Sequence, residues 1–284
     1  MQLMNLLNGL RITFDLNVIC IALSLIMPRQ SLADELDFKK LGLNDTFKQD
    51  ILNIEGIRNY YVFDEKEGAF RVYYPAGSFD PQSMKSKHLP SGGMNFKWAP
   101  FYSRNKECAI IQYSVRFPKS FDFVKGGKLP GLYGGNGNTG GKIPNGYDGF
   151  SVRLLWVENG MGKVYAYLPQ EDKKQKWGVG LSGLPWFYPR GEWQNITLKV
   201  KLNTVNFQNG IVKLWVNNKL VIDRRDVLFR KTPNLKIDGV LFSTFFGGNN
   251  PSFAPKELQY LDFKDIKISD WFSKQMRCEH DETD

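Results

Sequence analysis

Two histidines in 284 residues, His88 and His280, leave little for histidine-based catalysis. His280 lies in the acidic stretch Glu279–Asp284, and no Gly-x-Ser-x-Gly turn exists, so a Ser-His-Asp arrangement has no support. Cysteine is almost as scarce. Cys20, Cys108 and Cys278 make no Cys-x-x-Cys pair and no Cys/His cluster, which argues against a structural zinc site; neither a metal nor a cofactor is expected. No repeat, heptad, low-complexity tract or dividing linker is present, and no basic cluster or motif of the nucleic-acid-binding kind. Glycoside hydrolysis asks for two carboxylates facing each other across the bond. The acidic residues Glu158, Asp172, Asp223 and Asp226 fall in turns or on exposed strand faces, and no pair stands out.

Aromatic residues are abundant, with 21 Phe, 12 Tyr and 7 Trp, and 42% of the chain is hydrophobic. Such side chains fit pleated, half-buried surfaces. The N-terminus has the pattern of an export signal: Arg11, the apolar run Val18–Met27, then Ser31-Leu32-Ala33 with small residues at the −3 and −1 positions. That run is about half the ~20 residues a membrane-spanning helix needs, so cleavage after Ala33 and a secreted or periplasmic product, free of the membrane, are expected. Removing residues 1–33 takes the net charge from +9 to +8. A basic exported protein suits an anionic partner, and an acidic polysaccharide fits better than nucleic acid. Cys20 leaves with the signal. Cys108 and Cys278 then either pair in the oxidising compartment or remain free thiols.

Residues 34–60 read as a short helical or weakly structured lead-in, with Leu41, Leu43, Phe47 and Ile51 at roughly helical spacing. From Tyr60 the period becomes two. Alternating segments Asn59–Tyr74 and Glu107–Phe117 are separated by turn residues, including Pro75, Pro81, Pro90 and Gly92-Gly93. Gly126–Gly149 is glycine-rich and reads as a long loop. Strands follow over Phe150–Val157, Lys163–Leu168, Gln194–Leu202, Ile211–Val216, Leu220–Asp223, Gly239–Phe246 and Tyr260–Ile268, with Asn217-Asn218-Lys219 as a tight turn. The expected fold is all-β: one β-sandwich of jelly-roll type over 34–284, its concave sheet forming a groove, with 270–284 a polar tail. A monomer is expected.

One hairpin groups polar residues. In Phe150–Val157 the even positions Phe150, Val152, Leu154 and Trp156 are apolar, leaving Ser151 and Arg153 on the other face. In the return strand Val164, Ala166 and Leu168 are apolar, while Lys163, Tyr165 and Tyr167 share the opposite side. If the connection holds an odd number of residues, Arg153 stands opposite Tyr165 and Ser151 opposite Tyr167; an even one puts the tyrosines on the wrong face. An arginine and phenols together suit β-elimination at a uronate. The cation holds the C6 carboxylate, a base takes the C5 proton, and an acid protonates the departing O4. A phenol beside cations is expected to have its pKa lowered. A face that only binds sugar, or only packs, is the alternative.

The run Lys125-Gly126-Gly127-Lys128-Leu129-Pro130-Gly131-Leu132-Tyr133-Gly134-Gly135 is more specific than a generic loop. Together with Gly149–Trp156, Val164–Pro169 and Ser243-Thr244-Phe245-Phe246-Gly247-Gly248, in that order, it resembles polysaccharide lyase family 14, over about Glu107 to Ile268. The resemblance implies a β-jelly roll and an alginate or glucuronate lyase. It also implies catalytic roles for Lys128, Ser151, Arg153, Tyr165 and Tyr167, with Lys128 and one tyrosine sharing the acid and base roles and Arg153 helping to hold the carboxylate. It implies metal-independent cleavage of an anionic polyuronate, alginate foremost, leaving 4,5-unsaturated ends. A glucuronan lyase and a non-catalytic carbohydrate-binding jelly roll are the alternatives.

Other residues are secondary candidates for substrate binding. Asn249, after Phe245-Phe246-Gly247-Gly248, could close one end of the groove, or simply end a strand. Gln112 lies on an early strand with Tyr113 and Arg116, and Lys199 and Lys201, with Lys213, could extend a basic surface. His88 fits a lid or an ordinary surface position, and Trp186-Phe187-Tyr188 a sugar platform or a buried corner.

Overall fold

The computed structural model describes residues 33–38, 50–170 and 175–278. The proposed signal up to Leu32, residues 39–49 of the lead-in, Asp172 and His280 lie outside them. The described residues form two antiparallel sheets packed face to face, the β-jelly roll expected from the strand spacing.

The first sheet contains β1 (Asp34–Glu35), β3 (Tyr60–Asp64), β4 (Ala69–Tyr74), β6 (Cys108–Arg116), β11 (Trp193–Lys201), β12 (Gly210–Val216), β13 (Lys219–Val227) and β15 (Gln259–Ser269). Its order is β13-β12-β11-β6-β15-β4-β3, with β1 paired to β15. The second sheet contains β2 (Ile51–Glu55), β5 (Met94–Trp98), β7 (Gly126–Gly135), β8 (Gly149–Val157), β9 (Gly162–Tyr167), β10 (Val179–Leu181) and β14 (Gly239–Phe246), in the order β10-β9-β8-β7-β14-β5-β2. One short helix, α1 (Pro81–Ser86), stands beside the second sheet's groove; Asp80 caps it, accepting from the Ser83 N–H at 2.9 Å, and Pro81 opens it.

Period-two patterning turns one side of each sheet inward. Phe150, Val152, Leu154 and Trp156 of β8 are fully buried in the core with Ala109, Ile111, Tyr113 and Val115 of β6 and Ile196, Leu198 and Val200 of β11. Each such side chain contributes roughly 1.5–3 kcal/mol by leaving water. Aromatic contacts join the layers, as where Trp156 meets Phe117, Phe121 and Phe246 edge-on at 5.3–5.8 Å. Cys108, at the start of β6, is disulfide-bonded to Cys278, which resolves the sequence alternative in favour of pairing.

One expectation needs correction. Gly126–Gly135 is not loop but β7, an interior strand between β8 and β14. Its glycines are there because neighbours fill the missing side-chain space: a Cβ on Gly127 would lie 2.1 Å from the Trp156 ring, and one on Gly134 would lie 2.4 Å from the Phe150 ring. The loop is confined to 136–148. Of the lead-in residues at helical spacing, Leu41, Leu43 and Phe47 lie outside the described residues; in the described part β1 pairs with the end of β15, Ile51 opens β2, which pairs with β5, and Ile57–Asn59 forms a 3-10 turn.

Candidate active site

The hairpin β8–β9 has the parity the sequence required. Glu158-Asn159-Gly160 forms a three-residue turn in which Asn159 (φ 60°) and Gly160 (φ 78°) take left-handed backbone, and Val157 N–H bonds Met161 O across it. The odd count sets Arg153 opposite Tyr165 and Ser151 opposite Tyr167. A second parity device lies in β7. One extra residue there, at Pro130, shifts the register against β8 between Leu129 and Gly131. Proline lacks a ladder donor and is tolerated at such a bulge. Leu129 and Leu132 therefore both reach the core although three positions apart, and Lys128 is left on the outer face with Arg153.

That outer face floors a groove of about 930 Å³. Lys128, Arg153, Tyr165 and Tyr167 line its centre, with Ser243 and Phe245 from β14 and Asn95 from β5. Its walls come from α1, from Thr139 and Gly140 of the 136–148 loop, from Trp177, and from Gly247-Gly248-Asn249 and Phe253. The Lys128 ammonium stands 4.5 Å from the Tyr165 ring centroid, and the Tyr165 and Tyr167 rings meet edge-on at 5.6 Å. Arg153 is buried; its Nη1 donates to Ser243 Oγ at 3.2 Å, and its Nε has no protein partner.

Burial first, and the nearby Arg153 guanidinium second, lower the Lys128 pKa to about 7, with Asp80 opposing the shift. Burial also lowers Arg153, to about 10, where it still carries its charge at neutral pH. Tyr165 goes the other way. Burial and its interaction with Tyr167 raise it well above the ordinary phenol range, and Arg153 only partly opposes this. The expectation that cations would lower the phenol therefore fails at Tyr165, because loss of solvation outweighs their attraction. The group brought near neutrality is Lys128.

The family model described as Polysaccharide lyase 14 matches residues 63–266, most of the chain. The chain belongs to polysaccharide lyase family 14. Among solved structures, the family 14 alginate lyase from the marine Aplysia kurodai is 27% identical, with a TM-score of 0.69, over 84% of this chain and 97% of that one. The alginate lyase vAL-1 from Chlorella virus shares the fold, with a TM-score of 0.68 at 23% identity, over 84% of this chain and 99% of that one. Exolysin of Paramecium bursaria Chlorella virus 1 is 27% identical over 220 residues; the match covers 66% of this chain but spans only a third, 33%, of that protein's length.

Of the sequence candidates, the structure brings Lys128, Arg153, Tyr165, Tyr167 and Asn249 into the family 14 groove. Ser151 shares the face but not the groove. It is fully buried beneath the 136–148 loop, its Oγ donating to Asn138 O at 2.7 Å. Gln112, Lys199 and Lys201 lie on the outer face of the other sheet and are corrected as substrate contacts. Gln112 Nε2 donates to Thr197 Oγ1 at 3.1 Å, and Lys199 and Lys201 sit on β11. Lys199 is covered by the C-terminal segment, its Nζ donating to Arg277 O at 2.6 Å. Alternation shows that these residues face away from the core without showing which sheet they belong to. His88 follows α1 and is exposed, and of Trp186-Phe187-Tyr188 only Phe187 reaches solvent, so that segment is a buried corner.

The sequence reading missed Asn95, Ser243, Trp177 and α1. The pair Asp80-Pro81, a capping residue before a proline, was the available signal for the helix.

Proposed function

We propose that this chain is a secreted lyase that cleaves an anionic polyuronate, alginate foremost, by β-elimination. One observation carries the reading: Lys128, with a pKa near 7, lies in the same groove as a buried arginine and a phenol that keeps its proton. The family 14 match and the alginate lyase whose structure is 27% identical support the substrate class.

In this reading a uronate unit binds with its C6 carboxylate toward Arg153, whose guanidinium lines the groove and can meet it with a charge-assisted hydrogen bond. Neutralising the carboxylate acidifies the C5 proton and stabilises charge developing on the carboxylate as that proton leaves. The neutral Lys128 amine takes the C5 proton and becomes an ammonium. The C5–H electrons form the C4=C5 double bond, the C4–O4 bond breaks, and the departing O4 receives the Tyr165 hydroxyl proton. The products are a 4,5-unsaturated uronate at one new end and, on the other fragment, a reducing end whose anomeric carbon keeps the departing oxygen as its hydroxyl. Before the next turnover Tyr165 regains its proton and Lys128 loses one, restoring the starting charges. Every step uses groups of this chain.

The test is incubation of the purified protein with alginate, polymannuronate, polyguluronate and glucuronan while ultraviolet absorbance of the conjugated product is followed. A rise with alginate or one of its component polymers supports the reading. A rise with glucuronan alone moves the substrate to a glucuronate polymer. Binding without any rise would establish a carbohydrate-binding protein instead and end the lyase reading.

A further inference from the structure

Ser151 is buried, yet its hydroxyl points to the loop rather than the groove. The Ser151 hydroxyl donates to Asn138 O at 2.7 Å, Asn138 Nδ2 donates to Asp148 Oδ2 at 2.9 Å, and Asn136 N–H donates to Asp148 O at 2.8 Å. These bonds tie both ends of the 136–148 loop to the top of β8. Three residues beyond Asn138, Gly141 N–H donates to the Tyr167 hydroxyl at 3.1 Å. Between those two anchors, Thr139 and Gly140 form part of the groove wall. Gly137, Gly140, Gly141 and Gly146 all have left-handed backbone (φ 57–93°), so the path is one that few other residues could follow. The hydrogen bonds fix its register on β8 and β9.

We infer that Ser151 is a positioning residue that acts on the reaction through the 136–148 loop: it fixes Asn138, which sets the Gly141 N–H against Tyr167. This rests on the lyase reading of the groove and deepens it. The chemical consequence follows from donor and acceptor counts. A phenol oxygen accepting from Gly141 has its own hydrogen directed elsewhere. The Tyr167 oxygen then faces Gly141 and Tyr165, whose proton it helps retain, and its own hydrogen is directed to the bound sugar. Asp148 belongs to the same device although it does not line the groove.

A double-mutant cycle with a second, activity-independent readout tests the assignment. Ser151→Ala and Asp148→Ala are each combined with Tyr167→Phe, which removes the acceptor. Each loop variant is expected to lower kcat about tenfold, the scale of one lost hydrogen bond, with KM changed less than about twofold. In the Tyr167→Phe background the further loss should shrink to about twofold or less. Equal losses in both backgrounds would overturn the proposal, as would full activity in both loop variants. If Ser151→Ala fails to fold, Asp148→Ala decides alone. Amide hydrogen exchange separates this claim from the lyase reading. Gly141 should exchange several-fold faster in either loop variant while Val152 and Val164 in the hairpin stay protected. Unchanged Gly141 exchange would refute the linkage even in a protein that cleaves nothing.

Discussion

At the scale of single residues the site rests on a contrast between two neighbours. Lys128 is pushed toward neutrality at about pH 7, and Tyr165 is pushed away from ionisation. Groups displaced in opposite directions within one groove suit the division of base and acid roles proposed for them. Activity should therefore rise with pH through about 7 as Lys128 gives up its proton, and Tyr165 should impose no fall until well into the alkaline range. A pH profile of kcat/KM in the low-substrate limit checks this; a profile falling through pH 7 would contradict it. Lys128→Ala should reduce turnover by roughly 10²–10⁴-fold, the range for a general base. The same substitution should leave stability unchanged or improved near pH 7. The folded-state pKa of Lys128 is depressed, so the unfolded chain binds more protons between about 7 and the ordinary lysine value, and native stability rises with pH across that window. Removing the amine removes that dependence, which denaturant midpoints at two pH values can read. Tyr165→Phe should lower kcat far more than it raises KM, since the acid is needed only as the bond breaks.

At the scale of elements, parity decides which groups meet. The three-residue turn at Glu158–Gly160 and the bulge at Pro130 each set which side of a strand faces the groove, and a one-residue slip in either would exchange core and groove faces. The first device was legible in the sequence, because Phe150–Val157 and Lys163–Leu168 alternate cleanly around a glycine-bearing turn. The second was not. In β7 the alternation is broken by Gly126, Gly127, Gly131 and Gly134; the Trp156 and Phe150 rings fill the space at Gly127 and Gly134, and β8 backbone closes on Gly126 and Gly131, so a strand looks like a loop when read alone. Gln112, Lys199 and Lys201 show a related limit. Period two places a side chain inside or outside one sheet, while a sandwich has two outsides. Gly127→Ala tests the account of β7. Its Cβ would meet the Trp156 ring at 2.1 Å and the Phe245 carbonyl at 2.5 Å, so a loss of about 1–3 kcal/mol in unfolding free energy is expected. A neutral effect would mean that Trp156 can move aside.

At the scale of the whole molecule the two sheets divide the work. The groove and its polar groups belong to the second sheet, and the outer face of the first carries the C-terminal segment clipped by Cys108–Cys278. That bond joins residues 170 apart in sequence. In the chain-entropy model such a closure contributes at most about 5 kcal/mol, with distortion and residual structure reducing it. Cys278→Ser should therefore lower the thermal midpoint clearly while leaving kcat at moderate temperature nearly unchanged, because neither cysteine lines the groove. A large loss of kcat with an unchanged midpoint would reverse that division. Calorimetry alongside an activity assay distinguishes the two.

The central claim is that this groove performs β-elimination with Lys128 as the base. The most direct measurement compares wild type with Lys128→Ala on alginate at pH 8, following unsaturated product by ultraviolet absorbance and polymer binding by calorimetry. The account predicts steady product formation by wild type, and almost none by Lys128→Ala, which still binds the polymer. Comparable product from both proteins would contradict it.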